Sequence, residues 1–153
     1  MSGSGRTAVR RAISRENVDT LFRSVGQKLR EGLSGEAERI LIEAIDTYEH
    51  SAEDLANLKR LLSFTLETAG RYKESLETIQ EFAENADLSA LSVETQVKVT
   101  TQLAIAFNNM GDMPRAITLL KETHQRAEDA ELRQLFGSID IALARVYRKL
   151  AEF

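Results

Sequence analysis

Three stretches of the chain carry one pattern about forty residues apart. The first reads Leu62-Ser63-x-x-Leu66-x-x-x-Gly70-x-Tyr72-x-x-Ser75-x-x-x-Ile79. The second reads Leu103-Ala104-x-x-Phe107-x-x-x-Gly111-x-Met113-x-x-Ala116-x-x-x-Leu120. The third reads Leu143-Ala144-x-x-Tyr147-x-x-x-Ala151-x-Phe153. The glycine-equivalent positions 70, 111 and 151 are 41 and 40 residues apart, and a fainter copy places Gly32 in the same role 38 residues before Gly70. In that copy Val25 precedes the glycine, and Ala37 and Leu41 follow it. Such a unit cannot bury its apolar face alone, so each copy must stack on the next.

The rest of the chain agrees with a helical repeat. There is one proline, Pro114, and glycine is sparse, too few turn residues for an all-β fold. Apolar spacing predicts seven helices. The first runs over 15–30 after Ser14, with Val18, Leu21, Phe22, Val25 and Leu29 inward. Ser34, Ser51 and Ser92 are the expected caps of the second, third and fifth helices. The fourth carries Leu76, Ile79, Phe82, Ala83 and Ala86, and Pro114 suits the first turn of the sixth. A turn is expected near 128–130 without a Gly or Pro to mark it, and the seventh helix carries Leu132, Leu135, Ile139, Leu143, Val146, Tyr147 and Leu150. Short links make consecutive helices antiparallel.

Small residues (Ser63, Ala104, Ala144, with Ser75, Ala116 and Ala37) are expected where two helices approach most closely. Leu66, Phe107 and Tyr147 fill the space beside them, Gly70 and Gly111 permit the turn, and Tyr72, Met113 and Phe153 cover the hairpin ends.

These residues resemble the tetratricopeptide (TPR) repeat family, carried best by 103–120, then 62–79, and in part by 143–153. The resemblance spans roughly 15–153. It departs from the family in its period of about 40 rather than 34, in Lys59 and Thr100 where the family has an early tryptophan, and in lacking the closing proline. HEAT-like repeats have a similar period and stay open as an alternative. The resemblance implies an all-α, right-handed solenoid of antiparallel hairpins over 14–153, about three hairpins plus a C-terminal helix, after a flexible basic tail at 1–13. It implies a non-catalytic scaffold that binds a partner peptide or helix in its concave groove.

Chemistry is scarce in the sequence. The absence of cysteine removes disulfides, thiolate ligands and thiol nucleophiles. His50 and His124 lie far apart, without further ligands at zinc spacing, and read as surface residues. No phosphate loop, nucleophile elbow or dinucleotide fingerprint is present. No cofactor, metal, catalytic residue or small-molecule substrate is therefore expected. No apolar run reaches the roughly 18 residues of a membrane span and no signal peptide is evident, so the expected location is cytoplasmic.

The formal net charge of −4 hides an asymmetry: residues 1–30 carry +5, leaving −9 for the remainder. A basic arm could touch nucleic acid or a membrane surface, but a solvated, disordered tail is the preferred reading. Arg10-Arg11-Ala12-Ile13-Ser14 also fits a basophilic kinase site, but Ser14 reads first as a helix cap.

In the TPR family the first helix of each hairpin lines the groove. Here that face offers Asn57, Arg60, Phe64 and Glu67, then Lys98, Thr101, Ile105, Asn108 and Asn109, then Arg145, Arg148 and Lys149. A groove rich in Arg, Lys and Asn suits an acidic or carboxylate-ended peptide. The seventh helix stays apolar where a polar cap would be usual. Leu135, Ile139, Val146, Leu150 and Phe153 are the expected interface for a second copy or for the remainder of a longer array.

Overall fold

The computed structural model describes residues 9–83 and 86–152. Among them the fold is all-α, with seven helices and no strand: α1 Arg15–Arg30, α2 Ser34–Thr47, α3 Ala52–Thr68, α4 Tyr72–Ile79, α5 Val93–Asn109, α6 Met113–Asp129 and α7 Phe136–Ala151. Each helix packs on the next, and α3 also packs on α5 and α5 on α7.

Serine hydroxyls start three helices. Ser14, Ser51 and Ser92 accept from the backbone N–H three residues on, at Asn17, Asp54 and Thr95, each supplying a partner that the first helical turn lacks. Ser34 is not a cap; it is the first residue of α2, and Leu33 precedes it without a side-chain bond.

A left-handed residue ends four helices. Gly32, Gly70 and Gly111 have φ of 77°, 76° and 87°, and Glu131 has φ of 58°. At each, the residue itself and the one after it donate back to the last turn, as in Gly70 N to Glu67 O at 2.9 Å and Arg71 N to Leu66 O at 2.9 Å. The same pair recurs at Glu131, where Leu132 N reaches Ala127 O at 2.8 Å. The unmarked turn thus uses glycine geometry with a glutamate. It falls slightly later than expected, and a 3-10 turn over Arg133–Leu135 precedes α7. Leu132 and Leu135 therefore lie before α7 rather than within it.

The repeat is visible in what is buried. Ala56, Leu58, Leu62, Ser63, Thr65 and Leu66 of α3 are buried, and so are Val97, Val99, Leu103, Ala104, Ala106 and Phe107, each 41 positions on in α5. Ser63 and Ser75 meet at the expected close approach: the Ser75 hydroxyl donates to Ser63 O at 2.7 Å and the Ser63 hydroxyl to Ser75 O at 3.0 Å. Ala104 and Ala116 hold the equivalent positions and are fully buried. Thr123 donates to Thr100 at 2.9 Å between α6 and α5.

Several expectations change. α4 is only 8 residues long, and a 3-10 turn over Gln80–Phe82 replaces its second half. That turn lets Phe82 and Ala83 pack on the larger core cluster, a tertiary gain that outweighs helix propensity. Tyr72 does not cover a helix end but is 43% exposed. Ala151 is not a turn residue; it is the last residue of α7. Ala144 and Tyr147 are exposed, whereas Ile139, Ala142 and Val146 are buried.

The N-terminal arm is held at Arg11. Its N–H donates to Thr47 O at 2.9 Å and its carbonyl accepts from Glu49 N at 2.8 Å, so the arm is tied down within the segment expected to be flexible. Residues 1–8 lie outside the described residues. Neither histidine is a plain surface residue: His50 Nε2 lies 2.9 Å from Ala44 O, and His124 stacks on Phe136 with centroids 4.7 Å apart.

A left-handed non-glycine residue costs about 1–2 kcal/mol, and glycine returns roughly half of that to chain entropy. Glu131→Gly should raise stability by up to about 1 kcal/mol. Gly111→Ala should lower it by about 1–2 kcal/mol, although a Cβ there meets nothing within 4 Å. Urea unfolding followed by far-UV circular dichroism measures both, and a destabilised Glu131→Gly would contradict the assignment.

Candidate functional site

Two adjoining depressions lie along α3, α5 and α7. The first, of about 340 Å³, collects Arg60 and Phe64 from α3, Val97, Lys98, Thr101, Gln102 and Ile105 from α5, and Leu135, Ser138, Ile141 and Arg145 from α7 and its approach. Its floor is apolar, with Phe64 40% and Ile141 64% exposed. Its rim is cationic. Arg60 Nε and Nη2 both donate to Asn57 Oδ1 at 3.3 Å, and burial lowers the pKa of its guanidinium. Arg60 pairs with no carboxylate among the described residues. Lys98 pairs with Glu94 of its own helix at 3.1 Å and Arg145 with Glu67 at 3.4 Å.

The second depression, of about 350 Å³, is polar. Glu67, Tyr72, Asn108, Asn109, Arg145, Arg148, Lys149 and Glu152 line it. Lys149 Nζ donates to the Asn108 carbonyl at 2.7 Å. Asn108 Oδ1 and Asn109 Nδ2 are buried without a hydrogen-bond partner in the structure. Both atoms are closed to solvent, so a ligand does not reach them in this arrangement.

The structure brings together most residues expected on this face. Arg60, Phe64, Lys98, Thr101, Ile105 and Arg145 converge on the first depression, and Asn108, Asn109, Arg145 and Arg148 on the second. Asn57 stands apart. Its amide donates to Glu53 O at 3.1 Å and to Thr95 Oγ1 at 3.2 Å, which makes it a brace between α3 and α5. Thr101 is wall rather than ligand, its hydroxyl donating to Val97 O at 2.7 Å.

Leu135, Ser138, Ile141 and Tyr72 were not expected in the site. Ile141 carried a legible signal, an apolar side chain off the packing stripe of α7. The others depend on how α7 enters and α4 begins. Of the expected self-association residues, Ile139 and Val146 are fully buried in the core and have no surface to offer. Leu135 faces the groove, Leu150 is 37% exposed, and Phe153 lies outside the described residues.

One carboxylate fixes the spacing of α3 and α5 beside the groove. Glu53 accepts from Ser92 N at 2.8 Å, Ser92 Oγ at 2.8 Å and Thr95 Oγ1 at 2.6 Å. Burial pushes its pKa up, but the bonds from Thr95 and Ser92, with Lys98 nearby, bring it below the ordinary 4.5. A depressed carboxylate stabilises the fold above its unfolded value, and the contribution fades as pH falls through the folded one. Glu53→Gln should cost about 1–2 kcal/mol at neutral pH. That gap should hold down to about pH 5 and close below pH 4.5. Urea titrations across this range check it, and a gap absent at neutral pH, or one that does not narrow on acidification, would exclude the clasp.

Among the described residues no group of three or more His, Asp or Glu could hold a metal ion, and no helix is long and apolar enough to cross a membrane. No family model, curated protein sequence or solved structure matches the chain.

Proposed function

We propose that the chain is a non-catalytic protein-interaction scaffold of the cytoplasm, built as a TPR-like right-handed solenoid of helical hairpins. Its ligand is an acidic, partly apolar peptide or helix held along α3, α5 and α7. The observation that carries this reading is the convergence of Arg60, Lys98 and Arg145 around Phe64, Ile105 and Ile141. Apolar side chains in the floor give affinity, and cations at the rim select carboxylates and fix register.

The existing ion pairs do not block this. Lys98 with Glu94 and Arg145 with Glu67 are partly exposed pairs, and such pairs contribute at most about 1 kcal/mol. A ligand carboxylate can take over either cation at small cost. Arg145 and Arg148 extend the site toward the polar depression, where both guanidinium groups can donate to a ligand carboxylate or peptide carbonyl.

Selection from a displayed random-peptide library on the purified chain tests the reading. Enriched peptides should combine Asp or Glu with a large apolar residue. Ile141→Asp and Arg145→Glu should each weaken the selected peptides at least about tenfold by calorimetry, and affinity should fall with salt. Enrichment of basic peptides, or binding unchanged in both variants, would refute it.

A further inference from the structure

Three cations, Arg60, Lys98 and Arg145, line the apolar depression, and no carboxylate among the described residues lines it. Lys98 and Arg145 each face a carboxylate from outside, Glu94 at 3.1 Å and Glu67 at 3.4 Å. Arg60 has none among the described residues. Its one partner there is Asn57 Oδ1, which accepts from Nε and Nη2 together at 3.3 Å. A guanidinium has five N–H groups, and on each of two edges a pair of them points the same way. Asn57 occupies the side-on edge with a single oxygen. The end-on edge, Nη1 with the outer N–H of Nη2, has no hydrogen bond to any described residue.

Folding alone does not explain such a cation. Arg60 is half-buried, and burial lowers the pKa of its guanidinium. A charge drawn partly out of water without a counter-charge lowers stability rather than raising it. Asn57 does not depend on Arg60 for its own place, since its amide already ties α3 to α5 through Thr95 at 3.2 Å.

We infer that Arg60 is the specificity-determining residue of the groove, its end-on edge taking one carboxylate from an Asp or Glu side chain of the bound peptide. This rests on the groove reading above and adds which cation the ligand must find and how far from its apolar residue. Arg60 has no carboxylate to release, whereas Lys98 and Arg145 must first give up Glu94 and Glu67. Arg60 and Phe64 stand one turn apart on the same face of α3, with Cβ atoms about 5–6 Å apart. The ligand's acidic residue and the apolar residue over Phe64 must match that step. Residues two apart in an extended peptide do so, at about 6–7 Å, as do residues three or four apart in a helix. A single charge suits the place better than a phosphate. Glu94 and Glu67 flank the other two cations and Glu53 lies near Lys98, so a dianion would be repelled where one carboxylate satisfies Arg60.

Double-mutant cycles on the peptides enriched from the displayed library test this. Each acidic residue of a peptide is replaced in turn by its amide, and binding to the full chain and to Arg60→Met is measured by calorimetry. One acidic position should lose at least about tenfold on the unaltered chain and at most about twofold on Arg60→Met. Arg60→Lys should still weaken the peptide at least about fivefold, because an ammonium keeps the charge but not the two-pronged edge. Phosphoserine at the coupled position should bind more weakly than Asp. Arg60→Met keeps the apolar stem, so its melting temperature should stay equal or rise, whereas an arginine held for structure would lower it on removal. A lowered melting temperature, tighter binding of the phosphopeptide, or acidic positions that all lose affinity equally in Arg60→Met and the unaltered chain would overturn the inference. With Ile141→Asp still weakening the peptides, the groove reading would survive that result. A library that enriches no acidic peptide removes the groove reading and this inference together.

Discussion

Four of the six connections between helices turn on one residue in the left-handed region. Gly32, Gly70, Gly111 and Glu131 share the same two backbone bonds, and the residue after each, Leu33, Arg71, Asp112 or Leu132, has nearly the same dihedrals. That repeated geometry sets the exit direction of the chain. The next helix is then presented to the one just finished at a fixed distance, and only small side chains fit where they meet. Ser63 against Ser75 is that contact seen in detail: two hydroxyls exchange bonds with two carbonyls inside a buried seam. A bulkier residue at either place would separate the helices and open the core on both sides.

The serine caps add a second layer of order. Ser92 caps α5 and also donates to Glu53 of α3, so one residue starts a helix and ties it to its neighbour in the stack. Asn57 and Thr95 repeat the tie one turn deeper. The walls of the groove are therefore held by polar bonds, from the exposed Ser92–Glu53 pair to the half-buried Asn57–Thr95 pair, and not by packing alone. Arg60 is positioned through Asn57, which stands on the same brace. A pocket whose cation is oriented before any ligand arrives loses less entropy on binding.

Helix positions, three serine caps and three glycine turns could be read from the sequence because each rests on local chemistry: periodicity, a hydroxyl three residues from an N–H, a residue without Cβ. The misses have tertiary causes. Nothing near Ile79 breaks a helix; α4 stops because Phe82 and Ala83 gain more by packing on the α5 core. Glu131 carries no turn signal because it adopts a conformation glutamate rarely takes. Two of the five residues expected at the α7 interface, Ile139 and Val146, lie on the buried side of the helix. Apolar residues on an amphipathic helix look alike in sequence, and only their neighbours tell core from open face. Most of the Arg, Lys and Asn residues expected on one face do line the depressions, since such residues beside a packing stripe are unusual enough to mark a side.

α7 joins the two depressions through Arg145, which lines both and pairs with Glu67 of α3 at 3.4 Å. A ligand carboxylate that takes the Arg145 guanidinium releases Glu67, itself part of the wall of the polar depression. The pair is partly exposed, so the exchange costs at most about 1 kcal/mol. Occupation of the apolar depression therefore changes the charge presented by the polar one, and the two are linked by a single side chain.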